Sequence, residues 1–226
     1  MIFILRGHIR NSFESDDLYN LMKELNQTYP IEFYIHTWNV QSSSTSWRHV
    51  EQNNEPVTEE RIHNYFRDLS KFIKHIIIDD DSKVELIGKT DGLIARSLAP
   101  LKGWKYYWYG KYKICEFLFN NIDPNVKPVV SMRFDVFGNS VGFSSDQILN
   151  FIAKYKDHNF KTNAFVTEGS YIGCDNLYMG SISTMYHLTK QFHYDMDRIL
   201  DANQHIGNQE LLAPIINQLI SLPKQN

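Results

Sequence analysis

The chain has 226 residues, 42% of them hydrophobic and 14% aromatic, with a formal net charge of −3. It is long enough to bury a sizeable core as one domain. It has no long basic run, which excludes a nucleic-acid backbone as main partner, since that contact needs clustered Lys and Arg. A nucleotide-sized ligand needs only one or two cations and stays allowed. Cys115 and Cys174 form neither a metal pair nor a disulfide framework. The opening MIFILRGHIR meets Arg6 too soon for a signal peptide, and no run nears the roughly eighteen apolar residues that cross a bilayer. The expectation is a reducing, cytoplasmic setting without a transmembrane segment, with peripheral membrane association left open.

Residues Ile2 to Leu5 read as a buried, central first strand. Arg6, Gly7, His8 and Arg10 follow before a helix start at Ser12 and Glu14–Asp17. Ligands of open α/β sheets sit beyond the carboxyl ends of the strands, so these arginines either meet phosphates there or are solvated loop charges. A helix over about 16–27 places Leu18, Leu21, Met22 and Leu25 on one face and stops at Tyr29-Pro30. The strand IEFYIHTWN then brings His36, Thr37, Trp38 and Asn39 to the same sheet edge by a right-handed parallel crossover. Thr37 and Trp38 are candidates for a base or sugar, with a core place as the other reading of Trp38.

QSSSTSWRHVEQNNEPVTEE reads as a long polar loop, a candidate lid carrying Trp47 and Arg48, ending in a helix start at Thr58. An amphipathic helix over 61–72 turns Ile62, Tyr65, Phe66 and Leu69 inward, and HIIIDDD from His75 is a third buried strand ending in acids. Lys89, Asp91, Gly92 and Arg96 lie near a loop-to-helix transition. The aromatic stretch over 103–121 is a helix packing Trp104, Trp108, Tyr112, Cys115 and Phe119 on the sheet.

The central stretch is VVSMRFDVFGN, from Val129 to Asn139. Period two puts Arg133 and Asp135 on one face of a strand that Gly138 and Asn139 end in a turn. Side by side, such residues suit a phosphate and its metal ion, or simply form an ion pair. A helix over 144–155 follows, then an edge strand FKTNAFVT, then Asp175, Asn176 and Gly180. Ser181 to Ser183 cap a long helix to about Leu200; Asn208 caps a last one with Glu210 in its first turn.

The order predicts a single α/β domain with a mainly parallel central sheet flanked by helices. On the R-x-D strand, the later D-N-L-Y-M-G segment, the opening ILRGHIR and the strand end HTWN, the chain resembles WavE-type and large-virus glycosyltransferases. These belong to the GT-A class of Rossmann-like nucleotide-sugar enzymes. The resemblance implies a donor-binding half over 1–138, an acceptor-binding half over 139–226, and a cytoplasmic protein (host cytoplasm if viral). It implies transfer of a sugar from a UDP- or GDP-linked donor to a glycan, glycoprotein or glycolipid, with an inverting course expected.

Arg133 stands where the first acid of the usual D-x-D motif belongs, leaving Asp135 as the obvious metal ligand. Either Mn²⁺ or Mg²⁺ is held by Asp135 and the diphosphate, with His205 as a further candidate, or Arg133 supplies the charge without metal. The donor-binding candidates are Arg6, Gly7, Arg10, Thr37, Trp38, Arg96 and Asp135; the catalytic ones are Asp175 as base and Arg133, with Glu210 behind them. A phosphohydrolase or nucleotidyltransferase using Asp79–Asp81 with Asp135 is the competing enzyme class. A non-catalytic nucleotide- or glycan-binding module is the third alternative.

Overall fold

The computed structural model describes residues 1–45, 50–94, 99–123, 128–138, 142–166 and 173–221. In chain order the elements are β1 (Ile2–Arg6), α1 (Asp17–Thr28), β2 (Glu32–Trp38), β3 (Val40–Ser42), β4 (Asn53–Pro56), α2 (Glu59–Phe66) and β5 (Ile73–Asp79). They continue with α3 (Leu101–Asn121), β6 (Val129–Arg133), α4 (Ser145–Tyr155), β7 (Ala164–Phe165), β8 (Leu177–Gly180), α5 (Ile182–Ala202) and α6 (Leu212–Ser221).

Every residue of β1 is buried, because both faces of this apolar strand are covered. It pairs in parallel with β2 on one side and β6 on the other, and β5 extends the sheet parallel to β2. Beyond β6 the direction reverses: β8 runs antiparallel to β6, and β7 antiparallel to β8. The six-stranded order is β5-β2-β1-β6-β8-β7. The α/β expectation with a mainly parallel sheet therefore holds, and the order is consistent with a Rossmann-like fold. The chain builds outward from β1 to β5, then returns to the far side of β1 with β6. That reversal opens a crevice at the carboxyl ends of β1 and β6.

Alternation along the strands divides the core. Phe3, Leu5, Phe33, Ile35, Val130 and Met132 face α1, α2 and α4, whereas Ile2, Ile4, Tyr34 and Val129 face α3, α5 and α6. Each aliphatic side chain fully buried this way contributes about 1.5–3 kcal/mol relative to exposure. Capping boxes at Ser144 with Gln147 and at Ser181 with Thr184 start α4 and α5.

Several boundaries differ from the pattern-based reading. The central strand stops at Arg133, and residues 134–138 form a turn in which the Gly138 N–H donates to the Asp135 carbonyl at 3.1 Å. Phe134 and Val136 keep the chain anchored by burial at 1% and 0% exposure. The helix expected over 61–72 is α2 followed by a 3₁₀ segment, because Arg67 takes φ of 50°. The polar serine loop contains an antiparallel ribbon, β3 with β4; its Trp47 and Arg48 lie outside the described residues. LYMG is a fully buried reversed strand rather than a linking step, and Glu210 sits in a 3₁₀ turn ahead of α6. No helix among the described residues is long and apolar enough to cross a membrane.

Candidate functional site

Arg6 and Arg133 end the two strands that flank the crevice, and they are partners in the β1–β6 register. Like charges opposite one another repel, so each needs its own compensation. Arg6 is 1% exposed. Its Nε donates to Ser131 Oγ at 2.9 Å, its Nη2 to the Asp175 carbonyl at 2.6 Å, and its guanidinium lies 4.7 Å from the Tyr107 ring centre. Most of Arg6 is thus spent on pinning the 173–176 turn, which corrects its placing as a direct donor contact. Among the described residues its Nη1 has no hydrogen-bond partner.

Arg133 instead grips Asp135, with Nε to Oδ1 and Nη2 to Oδ2, both at 2.6 Å. Arg10, reaching in from the loop after β1, donates from Nη1 to Asp135 Oδ2, also at 2.6 Å. Arg10 holds a left-handed backbone, φ 52°, that costs a non-glycine residue energy, and its N–H is anchored on the Gln41 carbonyl at 2.9 Å. Burial pushes the Asp135 carboxyl upward, but Arg133 and then Arg10 outweigh it, so its pKa lies below the ordinary carboxylate value.

This arrangement does not fit Asp135 as the ligand of Mn²⁺ or Mg²⁺. Both carboxylate oxygens are engaged by guanidinium groups, and a second cation would face two fixed ones. Among the described residues no three His, Cys, Asp or Glu side chains group as a metal site, and His205 is exposed in the turn after α5. The acids at the end of β5 do not join Asp135 either. Asp79 pairs with His36 Nε2 at 3.1 Å, and Asp80 caps Ser82 and pairs with Lys83.

Beside the Arg10–Asp135 pair opens a cleft of about 750 Å³. Its walls are the segment after Arg10 (Asn11, Ser12, Ser15), the ribbon edge (Ser42, Gln52, Asn53), and the turn Phe134–Gly138. The expected lid is therefore a wall in its described part.

The other donor-binding candidates shape the loop rather than line the cleft. Gly7 takes φ of 90° and donates its N–H to the His36 carbonyl at 3.1 Å; a Cβ there would meet nothing, so the backbone angle alone asks for glycine. Thr37, 0% exposed, donates its hydroxyl to the Gly7 carbonyl at 3.0 Å. Trp38, 2% exposed, is enclosed by the rings of His8, His36, Tyr106 and Tyr109. Thr37 and Trp38 are thus core positions, a correction to their placing on the ligand. Arg96 lies outside the described residues.

Asp175 is 3% exposed, and its carbonyl accepts from Arg6, from the Tyr107 hydroxyl at 2.9 Å and from Lys111 Nζ at 3.1 Å. Its carboxylate lies 4.0 Å from Lys111 and does not line the cleft. A surface-facing base is therefore a poor description of it. Glu210 does not line the cleft either. It is half-buried, it accepts the Gly173 N–H, and burial together with Asp175 lifts its carboxyl to about 7.

The pattern-based reading gave no site role to Lys111, Asn176 or Tyr107. Lys111 had a signal: with Trp104, Trp108, Cys115 and Leu118 it falls on the three- and four-residue spacing of the buried face of α3. Burial, reinforced by Arg6 and opposed by Asp175, drives its ammonium well below the ordinary lysine range. Asn176 Oδ1 receives long contacts of 3.4 Å from Arg133 and Tyr107, a bridge between distant segments that no local pattern announces. No protein-family model matches the chain, and no curated protein is significantly similar to it.

Proposed function

We propose that this chain is a glycosyltransferase that takes its sugar from a nucleoside-diphosphate donor and meets the diphosphate with arginines rather than with a protein-bound metal. One observation carries the reading. Arg10 and Arg133 converge on a single carboxylate, Asp135, beside an open polar cleft, with Arg6 in register beneath Arg133. Two guanidinium groups fixed side by side suit an anion with more than one charge, since they match phosphate oxygens in a fork. A leaving diphosphate is stabilised by cations held in place before reaction. The resemblance to WavE-type and large-virus glycosyltransferases supports the choice of a sugar nucleotide among phosphorylated ligands.

In this reading Arg10, at the lip of the cleft, binds the donor, and Arg133 carries leaving-group charge. Arg6 contributes from beneath and holds the 173–176 turn. Asp175 and Glu210 remain the two candidates for the acceptor proton; neither lines the cleft, and Glu210 is the one whose carboxyl burial and Asp175 lift. The phosphohydrolase alternative loses support, since two-metal chemistry needs clustered carboxylates and Asp79, Asp80 and Asp135 each have separate partners.

Calorimetric titration with UDP, GDP and their sugar conjugates, in EDTA and in Mn²⁺, tests the proposal. Binding that persists in EDTA and falls at least about tenfold in Arg10→Gln is expected, the loss of one charge-assisted contact. No binding under any condition overturns it. Binding with no sugar turnover on any acceptor and no donor hydrolysis supports a non-catalytic binding module instead.

A further inference from the structure

Asp135 is held as tightly as a ligand would be. Both its oxygens accept guanidinium N–H groups at 2.6 Å, from two arginines on different segments. Resting on the donor-binding reading above, we propose that Asp135 is a displaceable counter-ion, whose place on Arg10 and Arg133 is taken by an oxyanion of the donor's diphosphate.

Four observations lead there. A carboxylate forked across guanidinium groups occupies the positions that phosphate oxygens take on arginine. The carboxylate side chain is 7% exposed whereas the Arg10 and Arg133 side chains are each 20% exposed, so the arginines reach further towards solvent than Asp135 does. Asp135 sits not on β6 but in the 134–138 turn, and both it and Gly138 line the cleft. Its side chain can therefore swing into solvent by rotation, with β6 undisturbed. Finally, the one carboxylate of Asp135 is shared by the guanidinium groups of both Arg10 and Arg133, so two positive charges meet there. Arg6, in register with Arg133, 1% exposed and with an Nη1 that has no hydrogen-bond partner among the described residues, adds to that charge from below.

The device has a physical purpose. Two arginines side by side repel and lose their geometry unless an anion separates them, and Asp135 keeps them aimed when no donor is bound. A diphosphate carries more charge than the carboxylate it replaces, so the exchange favours the ligand. A permanent orienting role for Asp135, with the ligand using the remaining N–H groups, and a metal-ligand role are the competing accounts, and they predict the opposite effect of removing it.

The test titrates pyrophosphate, UDP and GDP against the full chain and against Asp135→Asn in EDTA, with melting curves to verify folding. The neutral amide no longer competes, so Asp135→Asn is expected to bind about tenfold more tightly. Unchanged or weaker binding by the folded variant, while the wild type binds, overturns the counter-ion and leaves the donor-binding reading standing. No binding by the wild type to any of the three overturns both. Should Asp135→Asn not fold, the wild-type Asp135 carboxyl carbon resonance decides. Saturating ligand is expected to move it to that of a solvated carboxylate titrating in the ordinary range, and an unmoved resonance overturns the proposal.

Discussion

Replacing Lys111 by methionine should make the protein more stable, although it removes a hydrogen bond and two close cation–π contacts. The ammonium is completely buried, 3.8 Å from the Trp108 ring centre and 4.0 Å from that of Tyr107. Its hydrogen bond to the Asp175 carbonyl, from a charged donor, is worth about 1.5–3 kcal/mol, and that carbonyl keeps Arg6 and Tyr107 as donors. The desolvated ring contacts add about 2 kcal/mol. Against them stands a desolvation penalty of several kcal/mol for the buried ion. The charged neighbours do not rescue it, since Arg6 disfavours the ammonium more than Asp175 favours it. Methionine fills an unbranched cavity without that penalty, so a gain of about 1–2 kcal/mol is expected, or about 2–4 °C in melting temperature per kcal/mol for a chain of this size.

The pH dependence gives a second handle. A lysine whose folded pKa is depressed costs stability fully below that pKa, and the cost fades as pH rises towards the unfolded lysine value. Urea titrations from pH 7 to pH 10 should therefore show the variant's advantage shrinking with pH. A variant less stable than wild type by more than about 1 kcal/mol, or an advantage that does not change with pH, would refute the reasoning.

Three further outcomes follow from other contacts. Glu210, raised to about 7 in the fold from an ordinary 4.5, contributes stability that is present below the unfolded value and lost as pH rises through about 7. Wild-type denaturation midpoints should fall across that window while those of Glu210→Gln stay level, and parallel curves would count against the burial argument. Gly110→Ala gains about 1 kcal/mol of helix propensity but sets a Cβ 2.5 Å from His36 Nδ1. The His36 ring is held by Asp79 and by contacts with Trp38 and Tyr109, so the overpacking cost of about 1–3 kcal/mol should win in a thermal melt. Thr37→Val removes the donor to the Gly7 carbonyl and should cost about 1 kcal/mol in chemical denaturation, with hydrogen exchange quickened in residues 7–10.

Hydrophobic period decided most of the fold. The apolar runs of β1 and β6 and the i, i+3, i+4 faces of α1, α4 and α5 are readable because burial selects residue type at each position, whatever the distant partners are. The same logic brought out Arg6, Arg10, Arg133 and Asp135, since polar residues that interrupt a buried strand end have to face something. What those groups face is another matter. The reversed β8 was hidden because four apolar residues fit a strand in either direction, and pairing with β6 is a long-range choice. Trp38 and Thr37 alternate on a strand whether ligand or core lies above them.

The order of side chains along the chain thus determined the layers, the central strands and the presence of arginines at their carboxyl ends. Only the tertiary structure decided that both oxygens of Asp135 meet arginines, that Arg6 serves a turn some 170 residues away, and that Lys111 stands in the core beside it. Local pattern records how much of each side chain is buried. Charge pairing depends on which distant segments meet at one end of the sheet, and that is fixed by strand order rather than by any short stretch of sequence.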